Sequence, residues 1–171
     1  MNVLGKLFFV TGADGFIGSH LVELLVEQGA IVRALVFYNS WNEIGWLKDI
    51  PKNILEQVEI VRGDVRDSDH MQELVRGCDY VMHLSSLIAI PYSYHAPRSY
   101  VETNVIGALN ILQACRNSDS LIKLVHVSTS ETYGSAQYVP IDELHPLIGQ
   151  SPYSASKIGA DKIVESYHLS F

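Results

Sequence analysis

Two hydrophobic rhythms alternate along this chain: short continuous apolar runs, and longer stripes at helical spacing. Lys6 to Val10 is a run of strand type, followed at once by a glycine-rich turn. Ile17, Leu21, Leu24, Leu25 and Gln28 then fall at helical spacing, and Gly29 stops the helix. Ile31 to Phe37 predicts a second strand, and residues 39 to 52 a loop with a single helical turn. Val58 to Val61 predicts a third strand, ending at Arg62-Gly63-Asp64. Ser68 and Asp69 can cap a helix through Arg76, with Gly77 as its stop. Tyr80 to Leu84 is a fourth strand. A loop holding Pro91 and Pro97 leads into a long helix, Arg98 to Arg116, with Val101, Val105, Leu109 and Leu112 on one stripe. Leu121 to Val127 is a fifth strand, and a last helix starts near Pro152.

Strands alternating with helices at this spacing predict an α/β fold, a parallel sheet with helices on both faces. Right-handed crossovers then favour a doubly wound (Rossmann) sheet of order 3-2-1-4-5-6. No repeat, low-complexity tract or linker divides the chain, so residues 1–171 are expected to form one dinucleotide-binding domain.

Composition narrows the partners. At 171 residues and 47% hydrophobic, with 18% charged, the chain can bury a real core and is not disordered. Its net charge is −7, and no Lys/Arg cluster offers a footprint for nucleic acid or an anionic membrane. A bound phosphate would have to be held mainly by backbone amides. Cys78 and Cys115 lie far apart and outside any CxxC, which predicts buried free thiols in a reducing cytoplasm. No apolar run has the length of a signal peptide or membrane span. Seven histidines include His83 and His126 in strand patterns, but none has the spacing of a metal motif, so no metal site is expected. Trp41 and Trp46 are expected to pack within their loop.

Four motifs carry candidate chemistry. Thr11-Gly12-Ala13-Asp14-Gly15-Phe16-Ile17-Gly18 sits between strand and helix. There Gly12 permits a tight turn, Gly15 the approach of a pyrophosphate, and Gly18 close helix–strand packing. The helix N-terminus adds free amides and a positive dipole end. Asp64, after the third strand, either accepts from an adenine amino group or helps cap the next helix. Ser128-Thr129-Ser130-Glu131 leaves the fifth strand at its carboxyl end and can bind a substrate and move a proton, or simply form a turn. Tyr153 and Lys157, four apart on a helix, share a face, and the ammonium favours the phenolate. Alone, each has a bland reading; in this order, all fall at one end of one sheet.

With TGADGFIG, GDVRD, HLSS, ETNVIGALNIL, STSETYG and YSASK on the page, the chain resembles the extended short-chain dehydrogenase/reductase family across its whole length. The segments VFYNSWNEIGWL, LIAIPYSYHAP and GQSPYSASKIGAD are especially similar to nucleotide-sugar 4,6-dehydratases acting on N-acetylglucosamine nucleotides in legionaminic-acid pathways. The resemblance implies cofactor contacts at Gly12, Gly15, Phe16, Ile17, Gly18, Asp64, Val65, Leu84, Ser85, Ser86, Asn104, Tyr153 and Lys157. It also implies catalytic roles for Thr129, Ser130, Glu131, Tyr153 and Lys157, with Asn104 supporting the lysine. The reaction implied is an internal redox dehydration. Tyr153 deprotonates the sugar C4 hydroxyl, Glu131 removes the C5 proton, and Ser130 or Glu131 helps water leave C6. A nucleotide-sugar substrate and a homodimeric full-length parent are implied as well.

Two departures stand out. Val36 occupies the place of the usual ribose-binding Asp, and no acidic residue lies between Glu27 and Glu43. No Arg or Lys follows the second strand closely either, so NAD is expected, with NADP left open. Family members are also about twice this length, and the chain stops inside the YxxxK helix. It reads as an amino-terminal fragment, cut before the last strands and the substrate domain. Such a fragment is expected to expose the outer edge of strand five, to associate, and to be inactive alone. The alternatives are a 4-epimerase, a UDP-glucuronate decarboxylase, or a dinucleotide-sensing module without chemistry. Glu131 argues against the first, and the presence of both Tyr153 and Lys157 against the last.

Overall fold

A computed structural model describes residues 3–171. Five parallel strands make the sheet: β1 (Leu7–Thr11), β2 (Ile31–Phe37), β3 (Val58–Gly63), β4 (Tyr80–His83) and β5 (Lys123–His126). Their order is β3-β2-β1-β4-β5, so the chain reverses direction across the sheet between β1 and β4. That switch point opens a crevice at the carboxyl ends of the strands. β5 pairs only with β4, which leaves its other edge unpaired among the described residues.

The strands are apolar on both sides because both sides are covered. Phe8, Val10, Val32, Ala34 and Val36 face one layer, where helix α1 (Phe16–Glu27) brings Val22, Leu25 and Val26. A short 3-10 turn (Gly45–Asp49) and one helical turn (Lys52–Leu55) complete that layer with Leu47 and Ile54. Phe9, Leu35 and Val81 face the other layer, against α2 (Ser68–Val75) and a long helix over 97–116, α3. Each buried side chain of this size contributes about 1.5–3 kcal/mol. Arg33 is a charged exception in β2. It satisfies its guanidinium on Glu59 at 2.9 Å and the Leu74 carbonyl at 2.7 Å. Cys78 and Cys115 are buried free thiols in the same layer, and burial pushes them up to about 11 and about 12.

Three local expectations change. The cap of α2 is Asp67, whose side chain accepts the His70 N–H at 3.1 Å, rather than Ser68 or Asp69. The chain turns into the helix one residue earlier because the Asp67 amide closes a turn onto the Asp64 carbonyl. Helix α3 is not a uniform α-helix, since a π segment, Val101–Ile106, separates Pro97–Tyr100 from Gly107–Arg116. The wider turn rotates the stripe: Val101 is 49% exposed, while Tyr100, Asn104, Ala108 and Ile111 turn inward. Finally, Trp46 packs edge-on to Phe16 at 5.5 Å, but Trp41 is 84% exposed and does not pack in its loop.

Helix α4 (Pro152–Ser170) closes the fold against α3. Ser151 caps it in a reciprocal pair with Ser154, an arrangement worth about 1 kcal/mol. That cap sets the phase of the helix and hence the placing of Tyr153 and Lys157.

Candidate active site

The glycine turn forms the floor of the crevice, and its three glycines do different work. Gly12 has φ +67, and a Cβ there would meet the Ser85 amide at 2.9 Å, so turn and close approach both require glycine. At Gly18 a Cβ would lie 2.1 Å from the Gly12 carbonyl, which is the close packing of α1 onto the turn. Gly15 has ordinary extended backbone (φ −80) and only a 3.2 Å neighbour. Its missing side chain therefore serves space outside the protein rather than the fold. No side chain caps α1 and no acidic residue lies in its first turn, so its leading amides stay available to an anion.

Thr11, under this turn, holds β1 to the loop after β4. Its hydroxyl oxygen accepts the Leu84 and Ser85 amides at 3.1 Å each and lies 2.8 Å from His83 Nδ1. With two donors on the oxygen, the Thr11 O–H is left to donate to Nδ1, which places the His83 proton on Nε2.

The crevice is a cleft of about 860 Å³. Of the residues expected in it, Gly12, Gly15, Phe16, Ile17, Gly18, Asp64, Val65, Leu84, Ser85, Ser86, Thr129, Tyr153 and Lys157 line its wall. Asn104, Ser130 and Glu131 do not. Ser130 and Glu131 lie on a short 3-10 turn (Ser130–Tyr133) and are exposed beside the cleft, while Thr129 caps that turn by accepting the Glu131 amide at 3.3 Å. Asn104 is buried behind the wall and does not reach Lys157. Its carbonyl accepts the Leu87 amide at 2.8 Å, and its amide donates to the Leu87 carbonyl and the Ser156 hydroxyl. It braces the residue next to the lysine. The π segment supplies the reach.

Tyr153 (7% exposed) and Lys157 (4%) lie one helical turn apart on the cleft wall. Lys157 donates to the Val127 carbonyl at 2.6 Å. Burial lowers its pKa from the ordinary lysine value, opposed by the charge of Asp161. Burial would also raise Asp64, but the Arg66 guanidinium and backbone N–H, both bonded to it, outweigh that and hold its carboxyl below the usual range. Asp64 thus caps no helix; its carboxylate is engaged by Arg66 at 2.5 Å.

Several lining residues were not evident from spacing. Asp14 is the most informative: its carboxylate accepts the Phe37 amide at 3.1 Å, at the carboxyl end of β2. The acid missing from β2 itself is brought there by the glycine turn. Ser99 and Thr103, four apart on α3, also face the cleft, a signal that helical spacing could have given. Among the described residues no cluster of three His, Cys, Asp or Glu could hold a metal, and no helix is long and apolar enough to cross a membrane.

Many known proteins are similar to this chain. The chain is 36% identical to a dTDP-glucose 4,6-dehydratase of Streptomyces antibioticus, over 98% of this chain and 49% of that protein. It is 32% identical to a putative UDP-glucose 4-epimerase of Methanocaldococcus jannaschii, over 95% of this chain and 51% of that one. Among solved structures, a UDP-N-acetylglucosamine 4-epimerase from Methanobrevibacter ruminantium M1 superposes with TM-score 0.87 at 30% identity, covering 98% and 52% of the two chains. The dTDP-glucose 4,6-dehydratase DesIV from Streptomyces venezuelae, solved with NAD and TYD bound, gives 0.81 at 32% identity, covering 96% and 52%. The chain spans about half the length of the curated relatives it matches. The family model for GDP-mannose 4,6 dehydratase matches residues 9–171, from β1 to the last residue. With glycine turn, Thr129, Tyr153 and Lys157 around one cleft, the chain belongs to that family, within the NAD-dependent epimerase/dehydratase group of short-chain dehydrogenase/reductases.

Proposed function

We propose that this chain is the cofactor-binding half of an NAD-dependent nucleotide-sugar 4,6-dehydratase, with an N-acetylglucosamine nucleotide as substrate and the sugar-binding half lying beyond residue 171. The observation that carries the reading is the gathering of Thr129, Tyr153 and Lys157 on the same cleft wall as an uncapped, glycine-led helix N-terminus. A dinucleotide fits that cradle. Gly15 and the α1 amides would hold its pyrophosphate, and the Asp14 carboxylate at the end of β2 would suit an adenosine ribose hydroxyl and repel a 2′-phosphate. Bound NAD supplies a reversible hydride acceptor.

Within this reading Tyr153 takes the proton of the sugar C4 hydroxyl, and Thr129 orients that hydroxyl. Lys157 holds the nicotinamide ribose and offers positive charge to the tyrosine oxygen. The C4 carbonyl so formed acidifies C5–H, and Glu131 takes that proton. Ser130 or Glu131 gives a proton to the C6 hydroxyl as it leaves. The product is a 4-keto-6-deoxy sugar nucleotide, one water lighter than the substrate, and the cofactor ends as it began. Glu131 next to the cleft mouth favours elimination over C4 epimerisation, in which no C5 proton is removed.

The deciding experiment incubates the full-length protein separately with UDP-N-acetylglucosamine, GDP-N-acetylglucosamine and UDP-glucuronate and reads product mass. Loss of water is expected. Loss of carbon dioxide from a uronic acid substrate would make it a decarboxylase, and an unchanged mass with inverted C4 an epimerase. No turnover with retained NAD affinity would leave a sensing module. Two variants divide the labour. Tyr153→Phe should slow C4 oxidation by about 10²–10⁴-fold, with no transient reduced cofactor. Glu131→Gln should oxidise C4 yet stall, so that reduced cofactor accumulates; failure of both at one step would remove the base role from Glu131. At the cofactor end, Gly15→Val should abolish NAD binding while leaving the fold intact, since its backbone is ordinary. Unchanged affinity in that variant would move the pyrophosphate elsewhere.

A further inference from the structure

Below the cleft, the carboxyl ends of three strands carry a row of polar side chains that the reaction above does not use. Thr11, His83 and His126 stand in register across β1, β4 and β5, so their side chains share one face of the sheet. The two histidine rings lie 5.2 Å apart. Past His126 lies Asp161, on α4 one turn beyond Lys157. Its Oδ1 is 3.3 Å from His126 Nε2, close but not aligned as a hydrogen bond, and both atoms are buried. Its other oxygen accepts the Ser128 hydroxyl in a short bond. Helix α4 is thus stitched to residues 126–128 at two successive turns, by Lys157 on the Val127 carbonyl and by Asp161 on Ser128.

We propose that Asp161 is a positioning residue for the Tyr153–Lys157 pair: it sets a carboxylate, with one oxygen buried, one helical turn beyond Lys157, and through Ser128 and His126 it fixes the YxxxK helix against the end of β5. This rests on Tyr153 and Lys157 being the working pair.

An ammonium shut away from water favours its neutral form unless an anion stands near, and a charge pair is worth far more there than at the surface. The groups that act on Lys157 are Asp161 from its own helix and His83 from β4; His126 from β5 stands against both of these, and Tyr153 lies one turn back on the same cleft wall. Tyr100, from α3, faces the Tyr153 ring at 6.2 Å. Among the described residues Asp161 is the only carboxylate in that set, and its charge opposes the lowering of Lys157 by burial. The interaction is reciprocal: burial would raise Asp161, while the Ser128 and His126 contacts and the Lys157 charge hold it below the usual carboxylate range. Ser128 also precedes Thr129 directly, so the same carboxylate steadies the turn that carries the sugar-facing hydroxyl.

The test needs neither cofactor nor substrate. The full-length protein, labelled with ¹³C at the lysine ε-carbons and the aspartate carboxyls, is titrated by NMR, with Lys157 assigned by the peak lost in Lys157→Arg and Asp161 by the peak lost in Asp161→Asn. In Asp161→Asn the Lys157 midpoint should move to lower pH, and Asp161→Glu should move it back toward wild type. In Lys157→Met the Asp161 midpoint should move to higher pH, as linkage demands. An unmoved Lys157 midpoint in a folded Asp161→Asn protein overturns the proposal. Should that variant not fold, the Lys157→Met arm decides alone, and an unmoved Asp161 midpoint overturns it. A wrong product mass in the turnover assay would sink the dehydratase reading without touching either titration, and the converse holds too.

Discussion

Gly18→Ala should destabilise the protein by roughly 3 kcal/mol or more, and take the dinucleotide site with it. The added Cβ would lie 2.1 Å from the Gly12 carbonyl oxygen and 2.8 Å from both Gly12 C and Ala13 Cα. All three are backbone atoms, and none can swing aside as a side chain could. Gly12 cannot retreat either, because its own Cα face is pressed on the Ser85 amide. Helix α1 would have to lift from β1, uncovering Val22 and Val26, which are now buried against the sheet. For a domain of this size the loss corresponds to a fall in Tm of about 6–12 °C. Gly15→Ala is the control, with a nearest neighbour at 3.2 Å and ordinary φ, and it should melt close to wild type. Thermal unfolding of the two variants side by side checks this. Equal melting temperatures would mean that the packing of α1 on the turn is looser than described.

Acidification should destabilise the protein steeply below pH 6.5, and His83 should account for a large share. Its pKa is lowered to about 3, first by burial, then by the charges of His126 and Lys157. Nδ1 already accepts the Thr11 hydroxyl, so a second proton would have to displace that bond as well. An unfolded histidine titrates near 6.5. Between pH 6.5 and 3 the unfolded chain therefore binds a proton that the folded chain refuses. Stability is fully present above 6.5 and is lost progressively as pH falls toward 3, by an amount on the order of 4–5 kcal/mol. His83→Asn keeps a polar atom near the Thr11 hydroxyl but cannot take up the proton. It should cost some stability at neutral pH and flatten the slope of urea-unfolding free energy against pH across that window. A slope identical to wild type would mean that His83 is protonated in the folded state, contrary to its sealed position.

Much of the architecture is legible in the residues. Ile31–Phe37 is both the expected and the observed second strand, because a mainly apolar run with Ile31, Val32, Val36 and Phe37 between Gly29 and a polar loop leaves little choice. The glycine spacing at 12, 15 and 18 likewise predicts the turn, since φ +67 at Gly12 and the 2.1 Å approach at Gly18 exclude nearly everything else. The cap of α2 is less legible: Asp67, Ser68 and Asp69 are all good caps in a row, and only the backbone turn at Asp64 selects the first. The π segment is less legible still. A stripe at 3.6 spacing places Val101 inward, whereas the wider turn puts Asn104 there, where Leu87 and Ser156 satisfy its amide.

Taken by itself, then, the sequence determined the layers, the order of elements, the glycine turn and the Tyr153–Lys157 spacing. Each depends on neighbours within a few residues or on a simple periodicity of burial. The charge arrangement was decided only by the tertiary structure. Asp14 meets the end of β2 across 23 positions, which the sequence gives no reason to pair. His83 and His126 become neighbours because β4 lies between β1 and β5, and Asp161 joins them because the Ser151 cap fixes the phase of α4. Burial lowers the proton affinity of His83 at this meeting point, and burial is a property of the packed layers rather than of any local run of residues.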